Sequence, residues 1–210
     1  MGPTEIASRI SVWVGQAKRT ISSHLAFLPF IVLSTWIFVV LARVFLLRLS
    51  YPLDLEWMEG GTLTHALRLG RGQPLYAEPS VDFVSFLYTP LYPAVLCVLS
   101  KIFGLSYMLG RAVSVLAFSG ALVFLVAAVR GIAQQYESEE LPAVATTAGL
   151  LGAAAVCLAF PFCGAFYDLV RCDSLWLFLV SAGLYSCSPG RSMARIVLGA
   201  LLLVLGFFTQ

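Results

Sequence analysis

The stretch LAFLPFIVLSTWIFVVLARVFLL, residues 25–47, decides the class of this protein. As a helix it is long enough to cross about 30 Å of hydrocarbon, and its single charge, Arg43, lies late enough for the side chain to reach an interface. The same bias runs through the 210 residues, which are 60% hydrophobic and only 11% charged, with a mean hydropathy of +0.90. Ordinary soluble domains carry about a quarter charged residues. We therefore predict an all-α integral membrane protein.

Further apolar segments follow the first one. Three are predicted spans bounded by charged residues or by Pro and Gly: residues 107–129, 143–160 and 175–187. A fifth begins at Ile196 and stops at Gln210, short of the roughly 20 residues that a span needs. The expected fold is a polytopic membrane helix bundle of about five spans, and the module 25–210 is expected to be truncated.

Residues 88–104 are apolar but short, and the segment is entered through two prolines. Charge counting alone does not decide whether it spans. We favour a juxtamembrane helix that does not cross, because Arg130, Arg191 and Arg195 then face the cytoplasm together with the basic N-terminus. Residues 48–110 and 161–173 become two exterior loops.

Residues 1–24 precede the first span and show apolar residues at helical spacing together with positive charge. This pattern is typical of a helix that lies on an anionic membrane surface. We predict a cytoplasmic amphipathic surface helix, with a disordered basic tail as the alternative.

The carboxylates concentrate in the two exterior loops. Asp54, Glu56 and Glu59 follow the first span closely. A carboxylate at the boundary of water and lipid is partly desolvated, which raises its pKa toward the range that suits a general base. Asp54 and Glu56 alternate, so an extended strand would point both to one side. The alternative is a solvated acidic loop.

Arginines accompany these acids. Residues 62–68 are predicted to form a short amphipathic helix opened by Gly60 and Gly61. Its Arg68 is placed either to bind a lipid phosphate or to complement the helix dipole. In the second loop Arg171 precedes Asp173, which would also serve as an N-cap or first-turn acid of the next helix.

Other chemistries find no support in the sequence. The formal charge of +2 excludes nucleic acid as the main partner. Five cysteines contain no C-x-x-C pair, and with only two histidines they form no zinc or redox motif.

The order of motifs resembles the N-terminal half of GT-C-type membrane glycosyltransferases, the group that includes protein mannosyltransferases and the bacterial enzymes that glycosylate lipid A. The matching features are the acid pair Asp54 and Glu56, then GQPLY at 72–76, YTPLYP at 88–93, FG at 103–104, GR at 110–111, and R-x-D at 171–173. Members of the group are usually more than twice as long.

The resemblance implies transfer of a sugar from a polyprenyl-phosphate donor to an acceptor on the exterior face. Carried over, Asp54 and Glu56 are the catalytic or acceptor-binding carboxylates, and Asp173 is the acid near the donor phosphate or a metal. Arg111 and Arg171 are candidates to stabilise the departing phosphate, with snorkelling at helix ends as the alternative. Metal ligands stay unassigned, since some members use a divalent cation and others do not.

The expected partners are the lipid-linked sugar donor, membrane lipids and a second chain that supplies the C-terminal half. The expected location is the bacterial plasma (inner) membrane, or the endoplasmic reticulum membrane in a eukaryote. The alternative function is a non-catalytic polytopic membrane protein, either a truncated paralogue or an assembly partner. A small transporter is disfavoured, because no internal repeat is visible and charges lie near the ends of the later spans.

Overall fold

The computed structural model describes residues 3–81, 83–133 and 141–209, with side chains from residue 25 onward except at 141. Within these ranges the chain contains helices and no strands. The all-α prediction is confirmed. The helices are α1 (Pro3–Leu49), α2 (Met58–Gly70), α3 (Leu91–Phe103), α4 (Tyr107–Ala133), α5 (Leu141–Leu158), α6 (Asp173–Ser186) and α7 (Met193–Phe207).

Two of these segments are long and apolar enough to cross a membrane. They are Leu25–Leu49, the second half of α1, and the whole of α4, with 25 and 27 residues. α5 and α7 are apolar but shorter, and α6 has 14 residues. The structure therefore agrees with the membrane class, while the arrangement of five spans stays a prediction.

The N-terminal segment is helical from Pro3 and continues into the first predicted span without a break. The side chains of residues 1–24 lie outside the described residues. The amphipathic surface placement of this segment therefore stays a prediction.

The helix after the first span differs from its prediction. α2 begins at Met58, so Gly60 and Gly61 lie inside it and do not open it. Glycine is a poor helix former, but a Cβ at Gly61 would lie 2.2 Å from Cζ of Phe86. The glycine is required because an aromatic ring of the following loop packs directly on the helix backbone.

The ends of the helices gather at one end of the bundle. Arg111, near the start of α4, donates hydrogen bonds to the carbonyls of Arg48, Tyr51 and Leu53, which follow or end α1. The C-terminal end of α7 lies near the start of α3, since the Leu91 amide donates a hydrogen bond to the carbonyl of Phe208, the residue after α7. The segment that contains α2 and α3 therefore begins and finishes at the same end of the bundle, which we call the loop end. Whether it faces the exterior stays a prediction.

Two apolar clusters support the loop end. One joins α2, α3 and the 161–172 loop through buried residues that include Ala66, Tyr92, Leu96 and Val170. The other joins α1, α4 and α5 through Leu41, Phe45, Phe118 and Cys157. Small residues permit close helix contact; a Cβ at Gly110, for example, would lie 2.5 Å from Val170. The polar side chains of the loop end are therefore attached to backbone segments that are held in place by apolar packing.

Candidate functional site

Three arginine–carboxylate groups lie at the loop end. We call Glu59 and Arg111 the central pair, Arg48 and Asp168 the Arg48 pair, and Arg171 with its partners the Arg171 cluster. They join segments that are far apart in sequence. Each differs in burial and in how completely its hydrogen-bonding groups are satisfied.

The central pair is fully buried, with no exposed side-chain surface on either residue. Arg111 donates from Nε to Oε1 of Glu59 at 2.9 Å and from Nη2 to Oε2 at 2.7 Å. Its other donors bind the carbonyls of Arg48, Tyr51 and Leu53. All five N–H groups of the guanidinium are therefore occupied.

Glu59 is satisfied in the same way. Beyond Arg111, its Oε1 accepts from the Val170 amide at 3.0 Å, and its Oε2 accepts from the Leu55 amide at 2.7 Å. Burial raises the pKa of Glu59, but the hydrogen bonds from Arg111, Leu55 and Val170 outweigh it and leave this pKa below its usual value. The carboxylate is held ionised as a structural anchor between α2, α4 and the 161–172 loop.

Arg111 was predicted to bind a departing phosphate, and in this conformation no donor is left for that task. Its partner Glu59 was recognised only as one of three neighbouring acids. A signal existed, because an arginine near the start of a long apolar helix requires a buried counter-ion. The sequence does not say which acid fulfils that role.

The Arg171 cluster brings together three predicted site residues. Arg171 donates from Nε to Oδ2 of Asp173 at 2.9 Å, and its Nη1 lies 3.4 Å from Oε2 of Glu56, which is 115 positions earlier in the chain. Nη2 lies 3.3 Å from the hydroxyl of Tyr88. The guanidinium also stacks on the ring of Phe166, 4.2 Å from its centroid.

This cluster is partly open to solvent. The side chains of Arg171, Glu56 and Asp173 are 10%, 16% and 36% exposed. Burial lowers the pKa of Arg171, but its bond to Asp173 and the nearby charges more than compensate and leave it raised. A cavity of about 20 Å³ beside Arg171 holds roughly one water molecule. Asp173 is thus the most exposed of the three side chains.

Asp173 occupies the first turn of α6, and Cys172 is the N-cap residue. The N-cap alternative for Asp173 is therefore wrong, and no side-chain cap bond forms at this end. Its carboxylate is used instead by Arg171. The first-turn position itself agrees with the favourable field of a helix N-terminus.

Asp54 and Glu56 do not share a face. Residues 51–57 form bends and a turn, so the extended conformation that would point both carboxylates to one side is not present there. Asp54 is exposed, and its Oδ1 accepts from the Gly60 amide at 2.8 Å, whereas Glu56 turns toward Arg171. Asp54 therefore acts as a capping acceptor for α2 and keeps a solvent-facing carboxylate.

Arg68 supports the loop that follows α2. Its Nε and Nη2 donate to the Pro74 carbonyl at 3.1 and 3.0 Å, and its guanidinium lies 3.9 Å from the ring centroid of Phe83. His65 helps in the same task, since its Nε2 accepts from the Phe86 amide. Arg68 lies in the last turn of α2, which agrees with the helix-dipole alternative, while the lipid-phosphate role stays a prediction.

The Arg48 pair is the least satisfied of the three. Arg48 Nε lies 3.2 Å from Oδ2 of Asp168, yet neither Asp168 oxygen has a hydrogen bond of good geometry, although the residue is 1% exposed. Burial raises the pKa of Asp168 to about 6 despite the opposing charge of Arg48. The sequence assigns no role to Asp168, which forms no D-x-D pair with Asp173.

Among the described residues no group of three or more His, Cys, Asp or Glu side chains is arranged to hold a metal ion. Asp168 and Asp173 are engaged by different arginines. The part of the chain that the structure covers thus assigns no cation ligands.

Comparison of the chain with protein-family models, with curated proteins and with solved structures finds no match. The functional argument therefore rests on the loop end itself.

Proposed function

We propose that this chain is an integral membrane glycosyltransferase module that transfers a sugar from a polyprenyl-phosphate donor to an acceptor at the exterior face. The observation that carries the proposal is the Arg171 cluster. A guanidinium and two carboxylates, from segments 115 positions apart, meet in a cluster that is largely buried at Arg171 and Glu56 and exposed at Asp173. The motif order that resembles GT-C-type enzymes adds independent support.

The proposed reaction is a single displacement. A carboxylate, for which the exposed Asp54 is the candidate, takes the proton of the acceptor hydroxyl. The acceptor oxygen bonds to the anomeric carbon while the bond from that carbon to the phosphate oxygen breaks. The phosphate leaves with the electron pair, and Arg171 stabilises its charge through a bidentate contact. Glu56 and Asp173 hold Arg171 before the donor arrives.

A second candidate is a non-catalytic membrane protein. It is favoured by one observation: every donor of Arg111 and most of those of Arg171 already bind protein groups. In that case the arginines only satisfy buried acids and fix the loops.

Sidedness is the first test. The proposal includes five spans with the loop end outside, in a plasma membrane or its endoplasmic reticulum equivalent. Ala165 has a φ of 57° and tolerates substitution poorly, so the exposed native Cys163 is the better probe, in a variant without the other cysteines. We expect Cys163, and separately Ser80→Cys, to react with an impermeant maleimide on intact cells. Arg195→Cys, at the opposite end, should react only after permeabilisation.

If Cys163 and Ser80→Cys lie on opposite sides, no shared site exists and the proposal fails. If both lie outside, donor binding is the next test. Purified protein in nanodiscs should bind undecaprenyl phosphate, and Arg171→Gln should weaken this binding about tenfold or more. Arg195→Gln is the matched control, with the same loss of charge far from the loop end. Unchanged binding in Arg171→Gln favours the non-catalytic candidate.

A further inference from the structure

A long apolar groove of about 650 Å³ runs between α1, α4 and α5, and none of the residues of the Arg171 cluster lines it. Its walls come from the two helices that are long and apolar enough to span a membrane, together with α5. Along α4 it extends from Val115 to Arg130, a distance of roughly 22 Å at 1.5 Å per residue. This is longer than one leaflet of a bilayer whose hydrocarbon core is about 30 Å thick.

Among the described residues that line the groove, Arg130 carries the only charge, and it lies at one end. Arg130, in the last turn of α4, is exposed and forms part of the lining. At the other end the lining closes with Phe45 and Leu49, and the neighbouring Arg48 is engaged by Asp168 and by the ring of Phe160. A molecule in the groove therefore meets a cation at the end opposite the loop end.

These features select the occupant. A helix with its side chains is about 10 Å across and is too wide for a groove of this volume, whereas a flexible hydrocarbon chain fits. Arginine recognises phosphate through paired hydrogen bonds. We propose that the groove binds one acyl chain of an anionic glycerophospholipid, whose phosphate lies at Arg130 in the leaflet opposite the loop end.

The site is distinct from the transferase site. The proposed donor phosphate binds at Arg171 at the loop end, and this lipid enters from the other leaflet. The groove is lined by α1, α4 and α5, so a bound chain would fill space between these helices and stabilise their packing. This inference therefore stands independently of the proposed function.

Lipid retention tests the assignment. The intact chain, purified and placed in phosphatidylcholine micelles, is titrated with dioleoylphosphatidylglycerol, and bound lipid is counted by native mass spectrometry. We expect one tightly held phosphatidylglycerol and a higher midpoint of thermal unfolding. Arg130→Gln should weaken retention about tenfold or more, whereas Arg195→Gln, the matched charge loss at the same end outside the groove, should not.

A second variant tests the chain itself. Ser119 is exposed and lines the groove, so Ser119→Trp should fill it and abolish retention. Leu116→Trp, at an exposed position on α4 outside the groove, should not. Equal weakening by Arg130→Gln and Arg195→Gln would reduce the effect to surface charge and overturn the proposal. Retention that survives Ser119→Trp would also overturn it. Displacement of the lipid by undecaprenyl phosphate, in the wild type and in Arg130→Gln alike, would overturn it as well, because the groove would then be a binding site for the donor lipid.

Discussion

The central pair and the Arg171 cluster use the same side-chain types at the same end of the bundle, but they differ in their exposure to water. Arg111 and Glu59 are fully buried, and every donor and acceptor has a protein partner. Arg171 keeps longer contacts with Glu56 and Tyr88, and Asp173 is 36% exposed. A buried and saturated arginine fixes a fold, whereas one with long, partly solvated contacts can exchange partners with a ligand.

Removing one half of the central pair should produce the largest effect. Glu59→Gln leaves the Arg111 charge buried without its counter-ion, and Arg111→Met does the same to Glu59. Breaking a buried pair in this way destabilises by about 3–5 kcal/mol. The measurement is the free energy of unfolding in mixed micelles, with Arg195→Gln, an exposed arginine, as the control.

The double variant Glu59→Gln with Arg111→Met sharpens this prediction. We expect it to lose clearly less stability than the sum of the two single variants, because neither charge is then left unpaired. Additive losses would show that Glu59 and Arg111 are not energetically coupled. The central pair would then not be the structural anchor with which the Arg171 cluster is compared.

Asp168 gives a smaller effect that depends on pH. Its pKa rises from 3.8 in the unfolded chain to about 6 in the fold. The folded protein therefore binds the proton more tightly, and stability falls as the pH rises through this window. The full shift corresponds to roughly 3 kcal/mol at most.

Asp168→Asn cannot ionise, so it should lack this pH dependence. The difference in unfolding free energy between Asp168→Asn and the wild type should move in favour of the variant from pH 4 to pH 7. A difference that stays constant over that range would mean that folding leaves the pKa of Asp168 unchanged. A difference that moves in favour of the wild type would mean that folding lowers this pKa, as it does for Glu59 in the central pair.

Arg171→Gln should cost about 1–2 kcal/mol of stability, less than Arg111→Met, because water reaches Glu56 and Asp173 once the guanidinium is gone. Arg171→Lys, which keeps the charge but loses the planar fork, should fall between wild type and Arg171→Gln. Both variants are compared by unfolding in the same micelles. A loss as large as that of Arg111→Met would place Arg171 among the structural arginines.

Sequence reasoning could identify the helices, since their apolar runs are long and end at charged or Pro and Gly segments. It could also select Glu56, Arg171 and Asp173. It could not pair Glu59 with Arg111, which are 52 positions apart, because several acids near the first span were equivalent candidates. The start of α2 was missed for a similar reason: Phe86 packs on Gly61 and outweighs the low helix propensity of glycine.

Substitution of Asp54 should have the smallest effect on stability. Two variants at this residue distinguish a structural role from a catalytic one. Its Oδ1 caps α2 through the Gly60 amide. Asp54→Ala removes this acceptor and should cost about 1 kcal/mol, the usual value for a lost N-terminal cap. Asp54→Asn keeps an acceptor oxygen and should unfold like the wild type. If Asp54 is also the proton acceptor, both variants lose sugar transfer in an assay with undecaprenyl-phosphate donors and a membrane extract. If Asp54→Asn keeps full transfer while Asp54→Ala loses only stability, the carboxylate is a cap alone, and the base must be sought at Glu56 in the Arg171 cluster.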